Sequence, residues 1–379
     1  MLRKLLLLEL ALFVSIVLAE VALRLVDMPT NKWWVWQPNL RQTFQPERSV
    51  FPGVNGASTF TINPLGYRGD LFVPDAHNFL CLGGSTTECL YLDDSETWPS
   101  LLQQELNENN LTQKVIIGNL GKSGVMAFDN YLHLKNYVPQ LEDLKGVFFM
   151  VGLNDAMRFL KDSNNFDMGY NPEFEDDRAQ EIFQRSVVRQ KWWGKFKLTQ
   201  LLHQVYHRFQ NKKVDWMVQD TKGETLQRWR ENRKSAVSFI DTLPPHEYAL
   251  RNYEKVLHLI LTEARLQSLE VYFVSQTSLY KDSMSAYEQS LLWMGGVCEF
   301  QKQAGHAYCT PRAIHQLLSE YNQLTADFCA KNNLPFVDLT RTLPKDTSVF
   351  YDDCHFNENG SRLVAKAITP LFSLQPNQP

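Results

Sequence analysis

No Cys-x-x-Cys, no His-Glu-x-x-His and no other metal-ligand spacing occurs in this chain of 379 residues, and its nine histidines are scattered. Neither a structural zinc site nor a metallohydrolase centre is expected, and no cofactor is implied. Excess positive charge is also lacking: a formal net charge of −4 excludes a nucleic-acid partner for the molecule as a whole. Cysteine is sparse, and six residues are compatible with an oxidising compartment without requiring one. Cys298 and Cys309, eleven apart in a polar, glycine-containing segment, are the pair expected to bridge. A Cys89–Cys354 bridge is the alternative, whereas Cys81 lies in an apolar run and reads as a plain buried thiol.

What the chain has in quantity is apolar: 44% hydrophobic and 12% aromatic residues predict a globular core rather than disorder. The length suits one large domain with insertions. Short apolar runs at Phe79–Leu82, Val115–Asn119, Val147–Val151, Val271–Ser275 and Phe336–Leu339 read as strands. Helical patterns alternate with them. Tyr253, Leu257, Ile260, Leu261 and Ala264 share one helix face, and Leu363, Val364, Ala367 and Ile368 share another. Such alternation predicts an α/β fold, a parallel sheet between helices with its site at the carboxyl ends of the strands. Residues 161–249 and 276–312 do not fit the alternation and read as insertions, neither with a repeat or low-complexity run.

Four short motifs lie at strand ends or near the C-terminus. The first apolar run ends in Gly83-Gly84-Ser85-Thr86-Thr87-Glu88, a glycine-permitted turn that presents a serine. Asn119-Leu120-Gly121-Lys122-Ser123-Gly124 and Gly152-Leu153-Asn154-Asp155 close the next two runs, and Asp352-Asp353-Cys354-His355 follows far downstream. Each alone is a common turn or helix cap. Together, in this order, they supply a hydrolase site. A serine hydroxyl attacks a carbonyl poorly unless a neutral imidazole takes its proton, and the imidazole needs a partner to fix its tautomer. Ser85 is therefore the expected nucleophile, His355 the base and Asp352 the orienting carboxylate, with Asp353 the competing choice. The backbone N–H groups of Ser85 and Gly124 and the amide of Asn154 would receive the oxyanion. Burial and the carboxylate are expected roughly to offset one another, leaving His355 to ionise between about pH 6 and 7.5, around the ordinary imidazole value.

These four blocks resemble those of the SGNH (GDSL-type) hydrolases, over roughly 75–160 and 250–375. The usual Gly-Asp-Ser of that family is Gly83-Gly84-Ser85 here, a change outside the triad. The resemblance implies a flavodoxin-like three-layer αβα sandwich, a catalytic domain over 75–375, and a serine esterase acting on an ester or an acylated carbohydrate or lipid. Two alternatives stay open: an O-acyltransferase or O-acetylesterase on a cell-surface polysaccharide, and a non-catalytic glycan-binding or scaffold protein. Asn63-Pro64-Leu65-Gly66-Tyr67-Arg68 resembles a segment that precedes the domain in membrane-anchored members.

Residues 1–26 pair Arg3 and Lys4 with the apolar stretch Leu5–Val26. Its 22 residues would reach about 33 Å as a helix, enough for an anchor through the membrane, whereas Val17-Leu18-Ala19 also fits a cleaved signal peptide. Glu9, Glu20 and Arg24 fall on one narrow stripe, where Glu20 and Arg24 are spaced to pair. In both readings the domain lies outside the cytoplasm. Trp33, Trp34 and Trp36 read either as interfacial aromatics or as core, within a 27–74 segment read as a stalk or lead-in. Arg178–Lys213 holds nine Lys/Arg against Glu181 alone, with Leu198, Leu202, Val205 and Phe209 on an apolar face. Such a segment suits a basic amphipathic helix, either packed on the domain or laid on an anionic surface.

Overall fold

The computed structural model describes residues 2–25, 33–108, 113–162, 175–183, 196, 198 and 219–373. In chain order its strands are β1 (Arg41–Phe44), β2 (Ser58–Thr61), β3 (His77–Gly83), β4 (Val115–Asn119), β5 (Leu144–Met150), β6 (Ser238–Ile240), β7 (Glu270–Val274), β8 (Ala307–Cys309) and β9 (Phe336–Val337). Five of them form one sheet in the order β4-β3-β5-β7-β9, every neighbouring pair parallel. Numbered along the chain that order is 2-1-3-4-5, the flavodoxin-like arrangement, and its direction of winding reverses beside β3. The expected fold class is the one observed.

The strands are continuous apolar runs because both sheet faces are covered. Phe79, Phe148 and Tyr272 meet Phe372 on one face. Phe149 and Phe273 stack on the other, with Phe328 against them. Helices Trp98–Glu108 and Glu358–Ile368 pack together, as do Ala127–Leu132, Glu247–Leu266 and Pro311–Asn332. Tyr253, Leu257, Ile260, Leu261 and Ala264 are buried along the Glu247–Leu266 helix, as their spacing predicts.

Residues 33–74, read from sequence as a stalk or lead-in, pack into the domain. β1 and β2 form an antiparallel hairpin, and Val35, Trp36, Phe44, Phe51, Phe60 and Tyr67 are buried in the same core as the sheet. Trp36 is a core residue whose indole donates to Gly121 O at 3.0 Å. The backbone of Arg68 pairs with Asn119 in both directions, at 2.9 and 2.8 Å, and so caps the C-terminal end of the β4 edge. The Arg68 guanidinium is buried. It donates to Asp94 Oδ1 at 2.6 Å and to the carbonyls of Glu88 and Cys89 at 3.0 Å, of Leu92 at 2.6 Å and of Thr59 at 3.2 Å. Every face of the cation is thereby satisfied.

The insertions are joined by β6 and β8, which pair in parallel. All six cysteines are free thiols: Cys298 is exposed while Cys309 is buried at the end of β8. The expected Cys298–Cys309 bridge is therefore absent, since spacing along the chain did not bring the two side chains to one place. The helix Leu2–Leu25 leaves Leu7, Leu12, Phe13 and Leu18 about 60% exposed, and Arg24 pairs with Glu20 at 2.7 Å. Among the described residues no helix is long and apolar enough to cross a membrane. Most of the basic Arg178–Lys213 stretch lies outside the described residues; Arg178 itself donates to both oxygens of the buried Asp129, from Nε at 2.7 Å and Nη2 at 2.9 Å.

Replacing Arg68 with Met would strand several buried acceptors, and should lower stability by on the order of 3 kcal/mol. The check is a lower urea midpoint at unchanged slope, with Arg68→Lys recovering only part of the loss. A variant as stable as the parent would show that water satisfies those carbonyls instead.

Candidate active site

β3 ends at Gly83 and Gly84 follows it, two positions where a side chain would crowd its neighbours. A Cβ on Gly83 would come within 2.2 Å of Thr87 Oγ1, and one on Gly84 within 2.4 Å of Asn154 Nδ2. The turn lets Ser85 open a single helical turn, Ser85–Glu88, at the carboxyl end of the sheet. Ser85 Oγ lies 2.7 Å from His355 Nε2, across 270 residues of chain. On the far side of the ring His355 Nδ1 meets Asp352 Oδ1 at 2.8 Å and Oδ2 at 2.7 Å. The carboxylate also accepts the backbone N–H groups of Cys354 at 3.1 Å and His355 at 2.9 Å, which wraps the Asp-x-x-His turn around it. The Tyr351 ring stacks on the imidazole, centroids 5.5 Å apart.

Asp353 points the other way. It accepts from the backbone N–H of Trp293 at 2.9 Å and of Met294 at 3.0 Å, and from the Tyr280 hydroxyl. Of the two adjacent carboxylates, Asp352 faces the imidazole. Burial, with the neighbouring Asp352 charge, pushes the Asp353 carboxyl up. Burial opposes ionisation of Asp352 too, but the His355 imidazolium and its hydrogen bonds outweigh it and hold that carboxyl down. Burial likewise opposes a charge on His355, yet the Asp352 carboxylate prevails, and the imidazole is held well above its ordinary value. The balance expected from the residues alone does not hold, because the carboxylate touches Nδ1 with both oxygens.

Gly124 and Asn154 border the same cavity as Ser85 and His355. Gly124 has φ +78°, where a side chain is strained, and the space beyond its Cα is open. One N–H of the Asn154 amide donates to Val125 O at 2.7 Å, which ties the two loops together. Asp155 adds a second tie by accepting the Ala127 N–H at 3.1 Å, and burial raises its carboxyl to about 7.

Several contributors carry no readable motif. The Trp293 indole N–H donates to Asp352 Oδ2 at 3.0 Å, and its ring stacks on Trp229, centroids 4.4 Å apart. Arg230 is buried beneath the His355 turn and donates to the carbonyls of Leu291, Val50 and Tyr351 at 2.9–3.0 Å. All three side chains come from the insertions, where no periodicity marks them out. Among the described residues Asp352, Cys354 and His355 bring metal-ligand atom types within 4.8 Å of one another. Asp352 and His355 are engaged with each other, and burial pushes the Cys354 thiol up to about 11, which disfavours the thiolate a metal would require.

The model of the GDSL-like lipase/acylhydrolase family matches residues 81–363. No curated protein matches the chain. Among solved structures, a member of the lipolytic G-D-S-L family from Veillonella parvula is 14% identical, covering 79% of this chain and 100% of its own, with a TM-score of 0.42. An acetylxylan esterase from Geobacillus stearothermophilus is 12% identical over 81% of this chain and 100% of its own, with a TM-score of 0.41. The native aryl esterase of M. smegmatis is 13% identical over 79% and 100%, with the same TM-score of 0.41.

In histidine-labelled protein the His355 ring should titrate above the ordinary value of about 6.5 in an NMR experiment. Asp352→Asn should lower its midpoint by roughly one to three pH units. Trp293→Phe removes a donor that draws charge from the carboxylate, so it should raise the midpoint further. A midpoint that ignores Asp352→Asn would mean that another group sets the protonation of the ring.

Proposed function

Because the chain belongs to the GDSL-like lipase/acylhydrolase family, whose members are ester-hydrolysing enzymes, we propose that it is a serine esterase working through an acyl-enzyme on Ser85. The observation that carries this reading is the unbroken line Ser85 Oγ–His355 Nε2, His355 Nδ1–Asp352, with both contacts at 2.7 Å. As Ser85 Oγ attacks the ester carbonyl, its proton passes to His355 Nε2. Asp352 holds the other nitrogen and steadies the imidazolium. The oxyanion accepts from the backbone N–H groups of Ser85 and Gly124 and from the Asn154 amide. His355 then gives its proton to the alcohol oxygen as the C–O bond breaks and the alcohol leaves. Water enters, loses a proton to His355, attacks the acyl carbon and releases the acid, and the proton returns to Ser85.

A sugar hydroxyl taking the place of that water would make the enzyme an O-acyltransferase by the same intermediate. The groove of about 330 Å³ beside Ser85 has room for such an acceptor. For location we propose that the Leu2–Leu25 helix ties the protein to a membrane and that the domain is extracytoplasmic. Support comes from Arg3 and Lys4 ahead of the apolar stretch and from its exposed leucines.

Ser85→Ala should abolish labelling by a fluorophosphonate probe and lower kcat on esters by several orders of magnitude in a protein that still folds. Persistent turnover or labelling would remove Ser85 from the mechanism. Native protein should stay with membranes through a carbonate wash. A soluble mature form beginning at Glu20 would show instead that the N-terminal segment is a cleaved signal.

A further inference from the structure

The oxyanion donor at Gly124 belongs to a tight turn. Lys122–Val125 is closed by the Val125 N–H on Lys122 O at 3.4 Å, and Gly124 stands third in it with φ +78°, the value of a type II turn. The central peptide of such a turn, here Ser123–Gly124, can rotate over with little movement of the chain on either side. A glycine in third place accepts both orientations. That peptide carries the N–H that would meet the oxyanion. Its aim therefore depends on what fixes its neighbours.

On one side the neighbour is Val125, whose carbonyl accepts from the Asn154 amide at 2.7 Å. On the other it is Ser123, whose hydroxyl donates to Glu88 Oε2. Glu88 closes the helical turn that Ser85 opens and is 1% exposed. Its main chain is held independently of its carboxylate. Arg68 Nη1 donates to its carbonyl at 3.0 Å, its N–H donates to Gly84 O at 3.0 Å, and Asn119 Nδ2 holds the Thr87 carbonyl at 2.6 Å. The Lys122 N–H also bonds Gly83 O, at 3.1 Å, but that contact ends one residue before Ser123. Glu88 thus links the nucleophile's own turn to the peptide that faces it, and Ser123 and Gly124 both border the cavity of Ser85 and His355.

Resting on the acyl-enzyme reading above, we infer that Glu88 is a positioning residue for the oxyanion hole: through the Ser123 hydroxyl it fixes the Ser123–Gly124 peptide with its N–H toward the oxyanion. The carboxylate acts on Ser123 and not on the reacting atoms. An ionised carboxylate can only accept, so the bond commits the Ser123 proton and gives that side chain one orientation.

The test measures kcat and KM of the full-length protein on 4-nitrophenyl acetate, and inhibition by phenylboronic acid, which forms a tetrahedral anionic adduct on a catalytic serine. Glu88→Ala and Ser123→Ala should each lower kcat roughly tenfold and weaken the boronate by a similar factor, with KM changed less than about twofold. The double variant should be no worse than either single one, because the two side chains act as one unit. Glu88→Gln keeps an acceptor oxygen on a side chain of the same length and should recover most of kcat. If Glu88→Ala does not fold, Ser123→Ala, at a half-buried position, still decides. Full kcat in Ser123→Ala, or a loss of kcat with boronate affinity unchanged, overturns the positioning role. A change confined to KM overturns it too and assigns the pair to substrate binding. A parent protein with neither ester turnover nor fluorophosphonate labelling would overturn the esterase reading itself.

Discussion

Two consecutive carboxylates, Asp352 and Asp353, are both withdrawn from water, and the site is arranged around that constraint. Removing one ion from solvent costs several kcal/mol, so two adjacent ones require separate compensation. The turn provides it by sending them in opposite directions. Asp352 takes the imidazole, two peptide N–H groups and an indole; Asp353 takes a phenol and two further peptide N–H groups. Arg230 and Arg233, on the helix Glu224–Lys234, add positive charge at the same place. Each guanidinium is itself buried and spends its N–H groups on carbonyls, Arg233 on those of Met294 at 2.6 Å and Cys309 at 3.1 Å. The loops that wall the substrate space are thus fastened to the charges that orient the imidazole.

The sheet contributes position rather than charge. β3 and β5 are neighbours at the point where the winding reverses, so the turn after β3 and the helix after β5 are brought side by side. Gly84 and the Asn154 amide then approach so closely that a Cβ at position 84 would push Asn154 aside. β4, on the other side of β3, delivers Gly124 to the same cavity. Three sequence motifs far apart in number converge because their strands are adjacent in order.

This part was legible in the sequence because buried parallel strands announce themselves as unbroken apolar runs, each ending in a small or polar residue. The lead-in was not. β1 and β2 are four residues each, too short for a period to register, and Trp36 and Phe60 read equally well as surface aromatics until their partners are known. The Arg228–Arg233 run is charged in sequence, yet Arg230, Asn232 and Arg233 are buried, since their side chains donate to carbonyls of distant segments. Trp293 follows no motif; its role exists only through the carboxylate it touches. The cysteine spacing misled because β8 draws Cys309 inward and leaves Cys298 outside.

Arg230 bonds in one grip to Val50, Leu291 and Tyr351, and Arg68 holds the loop behind the nucleophile from a segment that precedes β3. The matched family region begins only at residue 81. The packed core is accordingly larger than the stretch that identifies the chain and takes in Val35, Trp36, Phe44, Phe60 and Tyr67 ahead of it. A protein trimmed to the recognisable domain would keep every reacting group and lose the scaffold that holds them. Two chains with the same four motifs and different lead-ins would be different folding problems.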